Sequence, residues 1–134
     1  MEVTLALLAD YANVAREGKL NIMGIFDIIY AQSFPARHPQ MQLIMRFESD
    51  PAEAGTTKDV EVQLVDEDGT KVMSIGVEIT LGQGRPGEPI TTNQILTLNN
   101  MRFEKPGDYE FKILIQEEVR ETVRLKLVQT TPQS

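Results

Sequence analysis

The chain has no cysteine and no tryptophan among its 134 residues, and it has one histidine, His38. Without cysteine, a disulfide scaffold and thiolate metal sites are excluded, and one histidine cannot build a zinc shell within a single chain. The absence of cysteine also fits a reducing compartment. We therefore predict a soluble, cytoplasmic protein that folds around an apolar core alone.

Basic residues are scarce: 13 lysines and arginines stand against 20 aspartates and glutamates, and the formal net charge is −7. Such a charge repels phosphate backbones and anionic membrane surfaces. The first ten residues contain no basic residue, so no signal peptide is expected, and no apolar run is long enough to span a bilayer. We expect neither nucleic acid nor a membrane as a partner.

No segment of ten or more residues has apolar residues at the helical period of about 3.6. Alternation of apolar and polar residues dominates instead. About eight such segments predict an antiparallel Greek-key β-sandwich, with a closed β-barrel as the alternative. We assign residues 1–129 to a single domain and expect the tail, residues 130–134, to be frayed. The segments are Val3–Leu8, Leu20–Tyr30, Met41–Glu48, Val60–Leu64, Met73–Leu81, Ile95–Phe103, Tyr109–Gln116 and Val123–Val128.

The best-defined part of the pattern is a tight corner and a two-stranded ribbon from Phe103 to Val128. Pro106 and Gly107 suit a type II turn, and apolar side chains then alternate along both strands of the ribbon. The spacing from Pro106 to Tyr109 resembles the tyrosine corner of Greek-key sandwiches such as the immunoglobulin and fibronectin type III domains. That resemblance implies a hydrogen bond from the Tyr109 hydroxyl to upstream backbone.

The first third of the chain carries a second resemblance. Asp10-Tyr11-Ala12, followed by Gly18-Lys19-Leu20-Asn21-Ile22-Met23-Gly24, is similar to a small bacterial β-sandwich family of unknown function. The resemblance implies the fold and brings no activity with it.

The connections between strands are predicted to cluster at the two ends of the sandwich. If each strand crosses the sandwich once, one end collects Asp10–Lys19, Ser49–Lys58, Gly82–Pro89 and Gln116–Val119. The other end collects Ala31–Gln40, Asp66–Gly69, Glu104–Gly107 and both termini. Loops gathered at one end of a rigid scaffold are a usual recognition surface.

No stretch carries a catalytic or cofactor signature. Gly82–Gly87 matches G-x-G-x-x-G, but a dinucleotide site needs a helix to begin there, and Glu88-Pro89 follows instead. The aspartates divide between the two predicted ends, which argues against a calcium site. We therefore assign no catalytic, cofactor-binding or metal-binding residue and expect no cofactor.

Large aliphatic residues at nominally outer positions predict self-association. Ile44 and Leu114 interrupt polar rows, and Ile25 and Ile29 behave similarly, so a homodimer or higher oligomer would cover them. The leading hypothesis is a non-enzymatic binding or protein-interaction module that uses loops at one end to hold an unknown protein or small ligand. The alternatives are a structural subunit of a homo-oligomer, or an enzyme built from carboxylates and Arg85.

Overall fold

The computed structural model describes residues 1–131, which form nine strands and one 3₁₀ turn at Pro51–Glu53. The predicted frayed tail lies outside the described residues from position 132 onward. The strands are β1 (Glu2–Val14), β2 (Leu20–Phe26), β3 (Ile28–Ala31), β4 (Ala36–Ser49), β5 (Thr57–Val65), β6 (Lys71–Thr80), β7 (Ile90–Phe103), β8 (Gly107–Ile115) and β9 (Glu118–Gln129).

The strands form two sheets, which confirms the predicted β-sandwich. The four-stranded sheet has the order β2-β1-β4-β7, and the five-stranded sheet has the order β3-β9-β8-β5-β6. All neighbours are antiparallel except β3 and β9, which run parallel. No helix in residues 1–131 is long and apolar enough to cross a membrane.

The core lies between the two sheets and comes from the alternation that the sequence displays. Met41, Leu43, Met45 and Phe47 point inward from β4, while β8 contributes an aromatic and aliphatic row centred on Phe111. Because side chains alternate across a strand, every second residue of these strands points into the space between the sheets.

The segment Leu20–Tyr30 is not one central strand, as the sequence pattern suggested, but two edge strands. The chain leaves the four-stranded sheet after Phe26 and enters the five-stranded sheet at Ile28, with only Asp27 between them. Both halves are apolar enough to read as one strand, and periodicity does not report which sheet a residue joins.

The polar connection predicted for Ala31–Gln40 is also shorter than expected. Strand β4 already begins at Ala36, so His38 lies half-buried in a strand with its ring 5.8 Å from that of Phe26. The ladder with β7 omits Pro39, which has no N–H to donate, and Asn100 at the facing position has a φ of 52°. One proline therefore interrupts the pairing locally without ending the strand.

The hairpin of β1 and β2 folds over the outer face of its own sheet. The Ala12 N–H donates to the Gln42 side chain on β4, and Asn93 of β7 donates to the carbonyl of Gly18 in the hairpin turn, at 3.3 Å. A second apolar cluster forms underneath, in which Ile44 is 0% exposed. Its other members are Leu7, Ala9, Ala12, Leu20, Ile22 and Ile95.

The predicted self-association face is therefore wrong. Ile44 is covered by the hairpin of its own chain, and Leu114 is also buried, at 8% exposed. The polar row around each residue had suggested exposure, but alternation along one strand gives no information on what folds over it.

The grouping by end is correct except for the first loop and the amino terminus, because Glu2 pairs with Glu48 and Met1 therefore lies at the same end as residues 50–56. Residues 50–56 and 81–89 meet at one end, where Gly55 N–H donates to the Leu81 carbonyl at 2.9 Å. The turn between β8 and β9 joins them through the Gln116 N–H, which donates to the Asp59 carbonyl. Because Leu20–Tyr30 forms two strands, the chain has one more strand than predicted, and the first connection does not share an end with the other three. Residues 15–19 lie on the outer face of β7 instead.

The corner before β8 has the hydrogen bond that the tyrosine-corner resemblance implies. The Tyr109 hydroxyl donates to the Lys105 carbonyl at 2.6 Å, and the ring packs edge-on against Phe103 with centroids 5.2 Å apart. Burial raises the pKa of the Tyr109 phenol, so the hydroxyl stays protonated and able to donate.

Candidate functional site

A cleft of about 470 Å³ opens at the end of the sandwich where residues 50–56 and 81–89 meet, and we call it the loop-end cleft. It lies between the start of β1, the end of β4 and the first residues of β9. Its lining residues are Met1, Glu2, Glu48, Ser49, Asp50, Pro51, Glu53, Pro89 and Arg120. Four of these are acidic and one is arginine, so the cleft is an acidic surface on an acidic protein.

Two carboxylates oppose each other on paired strands at the cleft. Glu2 of β1 and Glu48 of β4 are Cα partners in the ladder, and neither forms an ion pair within residues 1–131. Directly opposed residues of an antiparallel pair have Cβ atoms about 5 Å apart, so like charges there destabilise the sheet. A cationic group bound near the two carboxylates would reduce the repulsion between them.

A buried hydroxyl lies beside these carboxylates. Ser49 is only 4% exposed, and its Oγ makes no hydrogen bond to any described residue. An unpaired buried polar atom costs stability, and such atoms are rare in folded proteins. Ser49 is one of the residues that line the cleft, so this end of the sandwich contains a buried oxygen acceptor without a partner in residues 1–131.

The loop after β4 is held by reciprocal capping bonds. Asp50 Oδ1 accepts the Ala52 N–H at 2.9 Å, and Glu53 Oε2 accepts the Asp50 N–H at 3.1 Å, which together form a capping box. The Lys58 ammonium lies 2.9 Å from the other oxygen of Glu53. Glu53 is thereby occupied in holding the loop, which leaves Glu2, Glu48 and Ser49 as the available groups.

These contacts predict a pH dependence of stability. The hydrogen bond from Lys58, and then that from the Asp50 N–H, lower the pKa of Glu53 from 4.5 to about 2. A carboxylate whose pKa is lower in the folded state contributes stability above its unfolded pKa, and that contribution is lost as the pH falls from about 4.5 towards 2. We expect the unfolding free energy of the native protein to drop more between pH 7 and pH 3 than that of a Glu53→Gln variant.

Chemical denaturation at the two pH values measures this difference. Glu88→Gln is the control, since Glu88 is an exposed carboxylate in the neighbouring loop and forms no ion pair in the described part of the chain. An equal pH dependence in native protein and Glu53→Gln would show that Glu53 does not stabilise the loop.

The sequence had singled out other groups at this end, and the structure leaves them outside the cleft. Arg85 and the glycines of Gly82–Gly87 lie in an exposed loop that no helix follows. Within residues 1–131, no group of three histidine, aspartate or glutamate side chains is arranged as metal ligands would be. The absence of catalytic, cofactor-binding and metal-binding residues remains a prediction.

The groups that do meet were not identifiable from the sequence. Glu2 and Glu48 are brought together by strand pairing between distant segments, and Ser49 is one polar residue at the end of a strand. One feature of the sequence does indicate this site. After Phe47 the chain continues as Glu-Ser-Asp, and a serine takes the inward-facing position that an aliphatic residue would occupy in the core.

The chain belongs to a protein family of unknown function (DUF6941), whose model matches residues 4–128. This agrees with the resemblance of the first third of the sequence to a β-sandwich family of unknown function. No curated protein matches the chain.

Among solved structures, the chain is similar to Pseudomonas fluorescens alkylpurine DNA glycosylase AlkC bound to DNA containing an abasic site analog. The sequence identity is 17% and the TM-score is 0.43. The match covers 75% of this chain and 27% of the glycosylase chain.

The predicted set of partners, in which self-association was expected and nucleic acid was excluded, is corrected. The exclusion of nucleic acid is withdrawn, because it rested on the net charge of the whole chain, which does not describe the charge of a local surface. The expectation of self-association is withdrawn with it, because Ile44 and Leu114 are buried within the chain.

Proposed function

We propose that residues 1–129 act as a single non-enzymatic binding domain, which holds an arginine side chain of a partner protein in the loop-end cleft. The observation that carries this proposal is the buried Ser49 oxygen without a partner in residues 1–131, beside the opposed carboxylates of Glu2 and Glu48. The cytoplasmic location remains a prediction from the absence of cysteine.

A guanidinium group fits the chemistry of this cleft. It carries five N–H donors in a planar fork, so one group can donate to the two opposed carboxylates of Glu2 and Glu48 at once. A lysine ammonium has donors too, but it is compact and strongly hydrated and does not match two acceptors in one plane. The formal net charge of −7 also favours approach of a basic partner.

Glu53 does not suit a catalytic role as general acid. A general acid at neutral pH needs a raised pKa, whereas the contacts of Glu53 lower its pKa to about 2. The cleft is also formed by loop and strand-end residues at the surface, so a side chain presented by a protein can reach it. These features support a recognition site that neutralises fixed negative charge.

A charge-removing substitution tests the site. With a capped pentapeptide that has a central arginine flanked by glycine and serine, we expect Glu48→Gln to raise the Kd about tenfold, the scale of one charged hydrogen bond. The substitution also removes a like-charge pair with Glu2, so it should leave the fold intact. Calorimetric or NMR titration measures the two affinities.

Two controls separate local recognition from general electrostatics. Glu17→Gln removes the same charge from the exposed hairpin turn, away from the cleft, and should change the Kd by less than about twofold. A peptide with citrulline in place of arginine keeps the shape without the charge and should bind far more weakly. If Glu48→Gln and Glu17→Gln behave alike, the loop-end cleft is not the site.

A further inference from the structure

The turn between β5 and β6 contains the dipeptide Asp68-Gly69, in which an aspartate can rearrange without any enzyme. Glycine has no Cβ, so its amide nitrogen is unhindered when it attacks the carboxyl carbon of the residue before it. Gly69 has a φ of 82°, and both residues are exposed to solvent. The dipeptide lies outside the loop-end cleft.

The nucleophile of this rearrangement is engaged in the fold. The Gly69 N–H donates to the Asp66 carbonyl at 3.0 Å and closes a four-residue turn. Asp66 Oδ1 also accepts the N–H groups of Asp68 and Thr70, at 3.0 and 2.9 Å. The Gly69 amide must give up its proton and its hydrogen bond before it can attack, so the turn slows the reaction.

The electrophile is engaged as well, by a residue from another part of the chain. The Lys105 ammonium lies 2.7 Å from Asp68 Oδ2, and no other cation of residues 1–131 forms an ion pair with this carboxylate. The hydrogen bond to Asp68 raises the pKa of Lys105, so the ammonium stays protonated. The reaction needs the neutral carboxyl group, whose hydroxyl leaves as water, so Asp68 must give up this ion pair before it reacts.

Lys105 belongs to the corner before β8, where its carbonyl accepts the Tyr109 hydroxyl at 2.6 Å. The corner therefore fixes the backbone from which the ammonium reaches the β5–β6 turn. The side chains of Lys105 and Asp68 are 47% and 68% exposed, and an ion pair that is this open to water contributes little to stability. Its removal should change the chemistry of the turn and not the fold.

We infer that Asp68-Gly69 is a site of succinimide formation, and that Lys105 limits the rate of this modification in the folded protein. The Gly69 nitrogen bonds to the side-chain carboxyl carbon of Asp68, and the amide proton and the carboxyl hydroxyl leave together as one water. Hydrolysis of the cyclic imide at the side-chain carbonyl restores aspartate. Hydrolysis at the backbone carbonyl gives isoaspartate, in which the main chain passes through the side-chain carbons.

Isoaspartate alters the contacts that connect two parts of the fold. The main chain becomes one carbon longer at position 68, and the free carboxylate lies one carbon closer to the main chain. The turn bond from Gly69 to Asp66 and the ion pair with Lys105 then no longer fit their present geometry. The modified turn loses its direct link to the corner before β8.

A Lys105→Gln variant tests the role of the ion pair. Folded protein is incubated in a mildly acidic buffer, and isoaspartate at position 68 is quantified by peptide mapping. We expect isoaspartate to accumulate at least about threefold faster in Lys105→Gln than in native protein. The native protein should in turn react at least about tenfold more slowly than a capped peptide of residues 65–71. Lys19→Gln removes the same charge from the exposed β1–β2 turn and should match the native protein.

An amide at position 68 separates the ion pair from a general loosening of the turn. Asp68→Asn also forms the succinimide, with release of ammonia, but its neutral side chain has no ion pair to lose. Lys105→Gln should therefore leave the deamidation rate of Asp68→Asn unchanged within about twofold. If Lys105→Gln accelerates the aspartate and asparagine reactions equally, or accelerates neither, Lys105 does not protect Asp68 and the inference is wrong. A native protein that reacts as fast as the peptide would also contradict it.

Discussion

A Tyr109→Ala variant is expected to lose about 4 kcal/mol of unfolding free energy, the scale of deleting a buried aromatic side chain. Tyr109 is 3% exposed and packs edge-on against Phe103. The variant loses the buried ring, the aromatic pair and the hydrogen bond to the Lys105 carbonyl together. Chemical denaturation monitored by circular dichroism measures the loss.

A Tyr109→Phe variant separates the hydrogen bond from the packing. It keeps the ring against Phe103 and removes only the hydroxyl that donates to Lys105, so we expect a loss of about 1 kcal/mol. A Tyr109→Ala variant that loses less than about 1 kcal/mol, within the range of ordinary surface changes, would mean that this corner does not anchor the ribbon.

The second large effect is expected at Ile44, beneath the β1–β2 hairpin. Ile44 is 0% exposed and contacts a cluster to which that hairpin contributes Ala12, Leu20 and Ile22. Truncation leaves a cavity that the surrounding strands fill only in part, so Ile44→Ala should lose about 3 kcal/mol. An Ile44→Lys variant would bury an unpaired charge and should be less stable still.

An exposed isoleucine of the same hairpin is the matched control. Ile25 is 64% exposed, and Ile25→Ala should change the unfolding free energy by no more than about 0.5 kcal/mol. If Ile44→Ala were equally mild, the hairpin would not cover the outer face of β4 in solution.

The sequence predicted the parts of the fold that depend on local pattern. Alternation along Tyr109–Gln116 identifies β8 because the side-chain period of two is imposed by strand geometry. The Tyr109 hydrogen bond follows from local backbone chemistry as well, and Gly107 has a positive φ, 139°, although the corner is a bend and not the type II turn that was predicted. These features need no knowledge of what lies across the sheet.

The errors all concern contacts between distant segments. The break at Asp27 sends one continuous apolar pattern into two sheets. At Ile44 the outer row is polar, but a hairpin from the start of the chain lies over this part of it and buries both Ile44 and Gln42. Periodicity assigns a residue to a face and does not say whether that face stays open.

The loop-end cleft was unpredictable for the same reason. Glu2, Glu48 and Ser49 have no motif spacing in the sequence, and they meet because β1 pairs with the end of β4. The grouping of residues 50–56 and 81–89 at one end was correct, so the sequence indicated the location of the cleft but not the residues that give it charge.

The most direct test of the proposed binding site is an NMR titration of the labelled native protein with the capped arginine pentapeptide. We predict that amide shifts concentrate at Glu2, Glu48, Ser49 and Asp50, and that the citrulline peptide produces none of comparable size. Shifts centred elsewhere on the protein, or equal responses to the arginine and citrulline peptides, would contradict recognition of an arginine side chain by the loop-end cleft.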